Sequence, residues 1–591
     1  MHRSSKTFGL FFVLLAICLF GLPAQAEHAE DSGTVVPAET GTYVFLSDQS
    51  TVVQTGGIAG VHETYPIVGQ FRLSVDFDAR TASFSQVDAN LLHESPFLPT
   101  QSLGELFNMT ELVGSVVDDM IIDFAGQTTD ATDTDILLRL TFTVDLVRIT
   151  GQTIPPPNSA DFFYYNLDAV AWRKYGGGTG EPNDPYLICT AEQMNAIGAN
   201  ENDWDKHFKL MADIDLSGYA RTAFNIIGHW RDRSDSKPFT GVFDGDGHVI
   251  SNFTYTSTEV GKIGLFGYIN GENAQIKNLG LIEPDVNGGA GRYVAALVSD
   301  SNGCITGCYV QGGSISGNHN VGGVTGYNRG RITNCTFSST VSGTGWVVGG
   351  LAGNNYGTII NCYSSGDVSG GGNVGGLVGT NDGTIAECYA TSNIWGNDGV
   401  GGLVGHNDYY ANIVRCHSTA AVSGDSALGG LVGSNSGRII DSYSAGAVSG
   451  DKWVGGLVGI SGSYFGEAFG TITNCYSVGS ISIHTTAGGL LGFNYGTVTA
   501  SFWDIETSAR TNMCGRQIWG TGCNNANGKT TAEMQMQSTF TNVGWDFVRE
   551  SENGTEDIWW ILEGQDYPRL TWELVERGAV ALALKIDYCS R

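Results

Sequence analysis

The feature that most constrains this fold is a glycine-rich motif that recurs about every 27 residues over residues 241–505. One copy, "VGGLVGTNDGTIAECYATSN", begins at Val374, and a near copy, "VGGLAGNNYGTIINCYSSGD", begins at Val348. A period of this length without helical spacing indicates a repeat in which each copy forms one coil of a β-solenoid. An isoleucine or valine marks each copy, in a column made of Ile250, Ile276, Ile305, Ile332, Ile359, Ile385, Ile413, Ile439, Ile472 and Val498. The sequence therefore predicts an all-β fold, a right-handed parallel β-helix of about ten coils.

A second column follows the first at a spacing of three residues and is mostly cysteine. In one straight strand, residues three apart face opposite sides, yet both columns are small or apolar. A bend must therefore lie between them, and asparagine often occupies that place, as at Asn334 and Asn361, because asparagine tolerates the left-handed conformation. We expect both columns to face the interior, including Ile332, Ile359, Ile385, Cys335, Cys362, Cys388 and Cys416.

Two further columns complete the motif. Glycine pairs begin at Gly349, Gly375 and Gly401, and an asparagine such as Asn381 follows in an Asn-x-Gly pattern. Both residue types tolerate positive φ, so Asn-x-Gly predicts a turn. Each coil is predicted to hold three short strands: the Gly-Gly-Leu strand, the Ile strand and the Cys strand.

The flanking segments divide the rest of the chain. Residues 1–26 carry the charged end, apolar core and small-residue site of a secretory signal peptide. Non-repeating strand patterns over 27–172 predict a small β-sandwich or barrel-like domain. The other predicted segments are a linker at 173–185, an N-terminal cap at 186–240, a C-terminal cap at 506–573 and a tail at 574–591. Because open β-helix ends expose unpaired backbone groups, we expect residues 191–197 and 531–540 to cover the two ends.

The charge and hydropathy of the chain exclude several classes of partner. Its formal net charge is −30, which argues against nucleic acid, whose phosphates require basic patches. After the signal peptide, no apolar run approaches the length of a membrane span. We therefore expect a protein in the extracellular space or at the cell surface.

The composition of the cysteine column indicates that its cysteines pack in the interior and do not form disulfides. Stacked strands lie about 4.8 Å apart, within reach of a disulfide, but the parallel Cβ directions of stacked residues suit a bridge poorly. A buried cysteine behaves as a small apolar residue, and serine, leucine and phenylalanine share the column. Cys514 and Cys523 lie outside the column and could form a disulfide in an oxidising compartment.

The phrase "VGGLVGTNDGTIAECY" resembles the GLUG repeat of bacterial secreted and surface proteins. The segments around "PNDPYLICTAEQMNAIG" and "TTAEMQMQSTFTNVGWDFV" resemble the capping sequences of such arrays, so the resemblance covers about residues 180–573. It implies a cell-surface, adhesin-like protein. It also implies kinship with the non-catalytic region of immunoglobulin A peptidases.

Few residues suggest catalysis. The two His-Glu pairs, at His62 and His93, have Pro66 and Phe97 where a zinc peptidase needs its second histidine. No cofactor motif is present. Asp244 and Asp246 could bind Ca²⁺, although a structural role in the capping turn is the stronger alternative.

Three tryptophans, Trp346, Trp395 and Trp453, precede Gly-Gly-Leu phrases and could stack on sugar rings; packing on neighbouring loops is the alternative. Together these features predict a non-catalytic scaffold that binds a surface polymer, a glycan or a protein through many weak contacts. The alternative function is a carbohydrate-active β-helix that binds or cleaves polysaccharide. Paired carboxylates that break the repeat would favour that alternative.

Overall fold

The computed structural model describes residues 41–45, 50–56, 61–76, 79–91, 107, 109, 112–118, 121–127, 135–142, 146–154, 163–230, 235–257, 261–462, 470–483 and 485–576. The predicted signal peptide and most of the predicted tail lie outside the described residues. The chain divides into two compact units after Ala196.

In the first unit, nine antiparallel strands form one continuous sheet. The sheet curls because the long strand Val61–Asp76 pairs with Thr51–Gly56 through its first half and with Thr81–Leu91 through its second half. Alternating residues of Asp135–Phe142, such as Leu138 and Leu140, point into the core. Of the two alternatives, sandwich and barrel, the observed sheet is the barrel-like one. The nine strands are Gly41–Phe45, Thr51–Gly56, Val61–Asp76, Thr81–Leu91, Val113–Asp118, Ile121–Gln127, Asp135–Phe142, Leu146–Ile154 and Phe163–Arg173.

The predicted linker at 173–185 is an ordered turn in the structure. Gly176 N donates to Leu187 O at 2.7 Å, and Leu187 N donates to Gly177 O at 2.9 Å. A short strand, Tyr186–Ile188, and the helix Ala191–Ala199 follow. Thr190 begins the helix as predicted, since its hydroxyl accepts from Gln193 N at 3.3 Å.

The second unit is a parallel β-solenoid built from two long sheets. A typical coil contains Ala352–Asn355 and Thr358–Ile360 in the first sheet, then Tyr363–Ser364 and Val368–Gly375 in the second. The prediction of three strands per coil is therefore wrong: a coil has four, two in each sheet. The first glycine of each Gly-Gly pair ends a strand of the second sheet, and the second glycine lies at the corner between the sheets.

The strands of the first sheet from residue 207 onward are His207–Leu210, Val242–Asp244, Phe266–Lys277, Val298–Thr306, Thr325–Asn328, Arg331–Thr333, Ala352–Asn355, Thr358–Ile360, Val378–Asn381, Thr384–Ala386, Val404–Asn407, Asn412–Val414, Val432–Asn435, Arg438–Ile440, Val458–Ser461, Thr471–Thr473, Leu491–Asn494, Thr497–Thr499 and Cys514–Gln517. The strands of the second sheet are Ile214–Asp215, Val249–Ser251, Thr254–Thr256, Gly280–Ile282, Asp285–Asn287, Arg292–Val294, Tyr309–Gly317, His319–Gly322, Thr336–Gly343, Trp346–Gly349, Tyr363–Ser364, Val368–Gly375, Tyr389–Ala390, Asn393–Gly401, His417–Ser418, Ala421–Gly429, Tyr443–Ser444, Val448–Gly455, Tyr476–Ser477, Ile481–Ile483, Ala487–Gly488, Phe502–Asp504 and Gly528–Lys529.

Short elements accompany the sheets. The helices after residue 200 are Ile505–Ser508, Thr531–Met534, Gln537–Thr541 and Glu573–Glu576, with single 3₁₀ turns at Glu201–Asp203 and Asn525–Asn527. Two small antiparallel pairs join His229–Trp230 to Ser236–Lys237 and Trp559–Trp560 to Arg569–Leu570.

The isoleucine and cysteine columns both face the interior, as the bend argument predicts. Ile332 stacks on Ile305 and Ile359 in register, and it is fully buried, as is Cys335. The bend residue between them, Asn334, has φ of 54°. The same burial holds for Ile359, Ile385, Cys362, Cys388 and Cys416.

The assignment of Ile250 as the first member of the isoleucine column is wrong. Ile250 lies in the second sheet, where it faces Leu281 of the next coil. The residue that precedes Ile276 in the column is Phe243, which in turn stacks on Phe208. The first coils are longer than the others, so a spacing of about 27 residues points to the wrong strand there.

The Asn-x-Gly pattern makes a turn as predicted, but without positive φ: the asparagine side chain accepts from the glycine N–H, as Asn381 Oδ1 does from Gly383 N at 3.3 Å. These asparagines point inward and form a hydrogen-bonded amide ladder along the solenoid axis. Asn355 Nδ2 donates to Asn381 Oδ1 at 2.7 Å, and Asn381 Nδ2 donates to Asn407 Oδ1 at 2.9 Å. The full ladder is Asn328, Asn355, Asn381, Asn407 and Asn435, and each member is completely buried. Each amide thus satisfies the next in an interior without water.

The glycine column is required by close approach of the backbone. A Cβ atom on Gly349, Gly375 or Gly401 would lie 2.0 Å from the carbonyl oxygen of the residue three positions on. No side chain fits there, so the corner between the sheets accepts only glycine.

The aromatic residues that follow the cysteine column stack as a ladder on the outer face of the second sheet. The rings of Tyr363, Tyr389, His417, Tyr443 and Tyr476 lie about 5 Å apart and nearly parallel.

The C-terminal strap, residues 530–576, packs over the later part of this ladder. Phe540 and Trp545 contact the rings of Tyr476 and Phe502. We expected residues 531–540 to cover the open end of the β-helix, but they lie on the outer face of the second sheet. The strap buries Met534, Phe540, Trp545, Phe547, Trp559 and Leu570 in one apolar cluster with the ladder.

Candidate ligand-binding sites

A group of charged and aromatic side chains breaks the repeat pattern in the early coils of the solenoid. They line a cavity of about 200 Å³, here named the Lys262 pocket. Three of them, Tyr268, Asp300 and Tyr327, occupy the same register position on successive strands of the first sheet. The pocket is lined by Trp230, Lys262, Tyr268, Tyr293, Asp300, Tyr327 and Arg329.

Two cations share one carboxylate in the pocket. Asp300 accepts two bonds from Arg329 Nη2, at 2.8 and 3.0 Å, and it also forms an ion pair with Lys262 Nζ. Lys262 and Asp300 have side chains that are only 9% and 5% exposed. A buried ion pair of this kind needs additional partners to offset desolvation, and Arg329 supplies one.

Aromatic rings surround the lysine ammonium. Lys262 Nζ lies 4.2 Å from the centroid of Trp230 and 4.7 Å from that of Tyr268, with Tyr293 a little farther at 5.8 Å. These distances permit cation–π attraction. Burial lowers the pKa of Lys262, and the charge of Asp300 opposes that effect.

A pair of carboxylates lies farther along the same face of the first sheet. Asp382 and Asp408 each follow a residue of the amide ladder, on successive coils. Burial and the neighbouring Asp408 carboxyl raise the pKa of Asp382 to about 6, and Tyr356 partly opposes this. Two like charges one coil apart repel each other, so the folded protein favours the protonated form of Asp382.

This pair makes the stability of the solenoid depend on pH. The folded-state pKa of Asp382 lies above its ordinary value of 3.8, so the native state binds the proton more tightly than the unfolded state. The stabilising contribution is therefore complete below about pH 4 and is lost as pH rises through about 6. Because the group is half exposed, we expect an effect of only about 1 kcal/mol. Asp382→Asn should gain that amount relative to wild type between pH 4.5 and 7.5, measured by urea unfolding.

Asp425→Asn provides the control for this prediction, since Asp425 is an exposed carboxylate of the same solenoid. If the free energy of unfolding changes equally with pH in both variants, Asp382 is not the source of the pH dependence.

The three predicted sugar-stacking tryptophans do not lie in one row. Trp346 is 49% exposed, and its ring lies against Gly372 of the next coil, where a Cβ would be 2.8 Å from the indole. Trp395 is 53% exposed and has a serine on each side in register, Ser369 and Ser423. Trp453 instead packs edge-on against Phe493 at a corner. Two of the three indoles are therefore about half exposed, and the third packs against another aromatic ring.

The predicted calcium ligands are held by lysines. Asp244 Oδ2 lies 3.0 Å from Lys277 Nζ, and Asp246 Oδ2 lies 2.9 Å from Lys209 Nζ. Asp244 also accepts from the backbone of Asp246 and from Asn278. Across the described ranges, no group of three or more His, Cys, Asp and Glu side chains is arranged to hold a metal. This arrangement favours the structural alternative for the turn.

The cysteines separate into two kinds. Cys514 and Cys523 form a disulfide with a Cα–Cα distance of 5.9 Å. The column cysteines remain thiols, and each donates to a backbone carbonyl, as Cys388 Sγ does to Ala386 O at 3.0 Å. Burial raises the pKa of the Cys388 thiol well above its usual value, which makes the thiolate scarce and the residue unreactive.

The sequence indicated the tryptophans but missed the Lys262 pocket. The signal that could have revealed part of it is the loss of repeat identity in one register column, where Tyr268, Asp300 and Tyr327 differ from one another. Trp230 and Lys262 come from non-repeating segments, so the sequence period does not predict that their side chains lie close to each other.

Comparison with known proteins agrees with the repeat assignment. The GLUG motif matches residues 317–342, 344–369 and 396–423. Halomucin of Haloquadratum walsbyi is 31% identical over 180 residues, which is 30% of this chain and 2% of halomucin. A "Putative Gly-rich membrane protein" of Evansella cellulosilytica is 33% identical over 146 residues, 24% of this chain and 16% of that protein. The chain thus spans only a small part of either relative.

The crystal structure of a "putative immunoglobulin A1 protease" from Bacteroides ovatus is similar at a TM-score of 0.30 and 18% identity. The match covers 68% of this chain and 96% of that one. No helix within the described ranges has the length and apolarity to span a membrane. The three matched segments coincide with coils of the solenoid, so this part of the chain consists of GLUG motifs.

Proposed function

We propose that this chain acts outside the cell or at its surface, as a non-catalytic scaffold that binds a glycan polymer. The observation that carries the proposal is the pair of half-exposed indoles, Trp346 and Trp395, on the second sheet. Trp395 has a serine on each side in register. Trp346 lies over Gly372 on one side with His319 on the other. A flat apolar face fixed on a rigid sheet suits the C–H face of a sugar ring.

The positions of the two indoles favour a polymer over a small molecule. Trp346 pairs in register with Gly372, and the strand of Gly372 pairs with the strand of Trp395, so the indoles are two coils apart. At about 4.8 Å per coil, that is roughly 10 Å along the axis, and Trp395 lies a further three register positions across the sheet because Gly372 pairs with Asp398, so the two positions are about 14 Å apart. One extended glycan chain can contact both rings, and the second contact then forms at a high effective concentration.

The relatives support a surface role. Halomucin and the Gly-rich membrane protein carry names of surface-type proteins. Repetition of a rigid coil holds such rings at fixed spacing, which a flexible chain could not do without a larger entropic cost.

The test is binding of the full chain to a panel of immobilised polysaccharides, measured by surface plasmon resonance. Trp346→Ala and Trp395→Ala should each weaken the best-bound polymer about tenfold, since one lost stacking contact is worth about 1.4 kcal/mol. The double variant should weaken it further still. Tyr410→Ala is the control, since Tyr410 is 93% exposed but lies outside the second sheet.

Unchanged binding in the double variant would exclude the tryptophan platform. A time-dependent release of reducing ends that disappears in Asp382→Asn would instead establish cleavage of polysaccharide, the activity that paired carboxylates can support.

A further inference from the structure

We propose that the Lys262 pocket binds a single sugar unit that carries a carboxylate, of the uronic-acid type. The site lies on the first sheet, away from the tryptophans of the second sheet, so this inference does not depend on the proposed function. It rests on the size of the cavity, its charge and its aromatic walls.

The size limits the ligand to about one ring. The cavity measures about 200 Å³, which is below the roughly 300–1,000 Å³ of sites for drug-sized ligands. An oligosaccharide would therefore place one residue in the pocket and leave the others outside.

The charge of the pocket selects an anion. Among the lining residues that the structure describes, Lys262 and Arg329 carry two positive charges and Asp300 one negative charge, so one positive charge is left over. Among the described residues, Arg329 donates side-chain bonds only from Nη2, and both reach Asp300. Its Nη1 and Nε donors, which no described residue engages, lie on different edges of the guanidinium plane, so a ligand carboxylate can accept one charge-assisted bond from either of them.

The aromatic walls fit a sugar ring and exclude a cationic ligand. A cage of Trp230, Tyr268 and Tyr293 would ordinarily attract a quaternary ammonium group. In this pocket the Lys262 ammonium already occupies the cage, so a second cation would be repelled. Trp230 is 42% exposed and can still offer a ring face to a ligand entering from solvent.

A monovalent sugar acid also suits the rest of the molecule. The chain has a net charge of −30, which repels a densely charged polyanion over a long range. A ligand with one negative charge meets little of that repulsion and gains the local attraction of the pocket.

The experiment is isothermal titration of the full chain with methyl β-D-glucuronide and, separately, with methyl β-D-glucoside. We expect the glucuronide to bind at least about tenfold more tightly, with quenching of tryptophan fluorescence that Trp230→Phe reduces. Arg329→Gln should abolish the preference for the acid. Arg329→Lys should retain part of it, because lysine keeps the charge but cannot bond Asp300 and the ligand with separate fixed donors.

Arg331→Gln is the matched control, since Arg331 is an exposed arginine two residues farther along the chain. It should leave binding unchanged, as should the double variant that removes Trp346 and Trp395. Circular dichroism establishes that each variant is folded. Equal affinity for the two sugars, no binding of either at 10 mM, or an unaltered preference in folded Arg329→Gln would each overturn the proposal.

Discussion

Truncation of the chain after Lys529 should convert a soluble solenoid into an aggregating one. The deletion removes the C-terminal strap and uncovers the aromatic ladder, including Tyr443 and Tyr476, which are fully buried in the intact protein. Six large apolar side chains of the strap join that cluster. At about 1.5–3 kcal/mol for each, their burial contributes on the order of 10 kcal/mol. Size-exclusion chromatography with light scattering should show multimers, because a bare apolar strip promotes association.

A point substitution tests the packing of the strap without removing the whole segment. Trp559→Ala should cost about 3–5 kcal/mol, since Trp559 is fully buried against Trp545 and the ladder. Leu562→Ala, in the same strap but 50% exposed, should change stability by less than about 0.5 kcal/mol. A monomeric truncated protein with an unchanged melting temperature would show that the strap is dispensable.

Asn381→Ala should be the most damaging single substitution among the repeat coils. Asn381 accepts from Asn355 Nδ2 at 2.7 Å and donates to Asn407 Oδ1 at 2.9 Å. Alanine would leave Asn407 Oδ1 without its donor and the buried N–H of Gly383 without its acceptor, while Asn355 Nδ2 would keep only its longer bonds to backbone carbonyls. Each unsatisfied group costs about 1–3 kcal/mol, so we expect a total near 4 kcal/mol.

Hydrogen exchange is the measurement suited to this second prediction, because coils of a solenoid unfold locally. Amides of the coils next to Asn381 should exchange at least about a hundredfold faster in the variant. The control is Asn412→Ala, since the side chain of Asn412 bonds to Tyr410 O at the surface. Similar exchange in both variants would show that the amide ladder contributes little.

The parts of the fold that depend on contacts between identical coils were predictable from the sequence. Ile332 and Cys335 could be assigned to the interior because each packs against copies of itself, and the bend at Asn334 followed from the conformational range of asparagine. The amide ladder was not predictable in the same way. An Asn-x-Gly pattern is compatible both with a left-handed turn and with a buried asparagine beside a close backbone contact, and only packing distinguishes the two.

The position of features built from non-repeating segments could not be predicted from the repeat period. The strap has tryptophans and phenylalanines without any period, so the sequence marked its existence but not the face it covers. The Lys262 pocket joins Trp230 and Lys262 to Arg329 across long stretches of chain. Its formation depends on the longer first coils, the same irregularity that misplaced Ile250.

The route of the strap also determines how the solenoid bears mechanical load. In both sheets the hydrogen bonds between coils run along the axis, so tension along that axis would peel an unsupported coil from the end, one at a time. The strap spans several coils: Thr531 Oγ1 donates to Asp504 at 2.7 Å, Glu573 accepts from Tyr443, and Trp572 Nε1 donates to Arg415 O at 2.9 Å. A pull on the terminal coil is therefore shared with coils deeper in the rod, and the last coils yield as one block under a higher force.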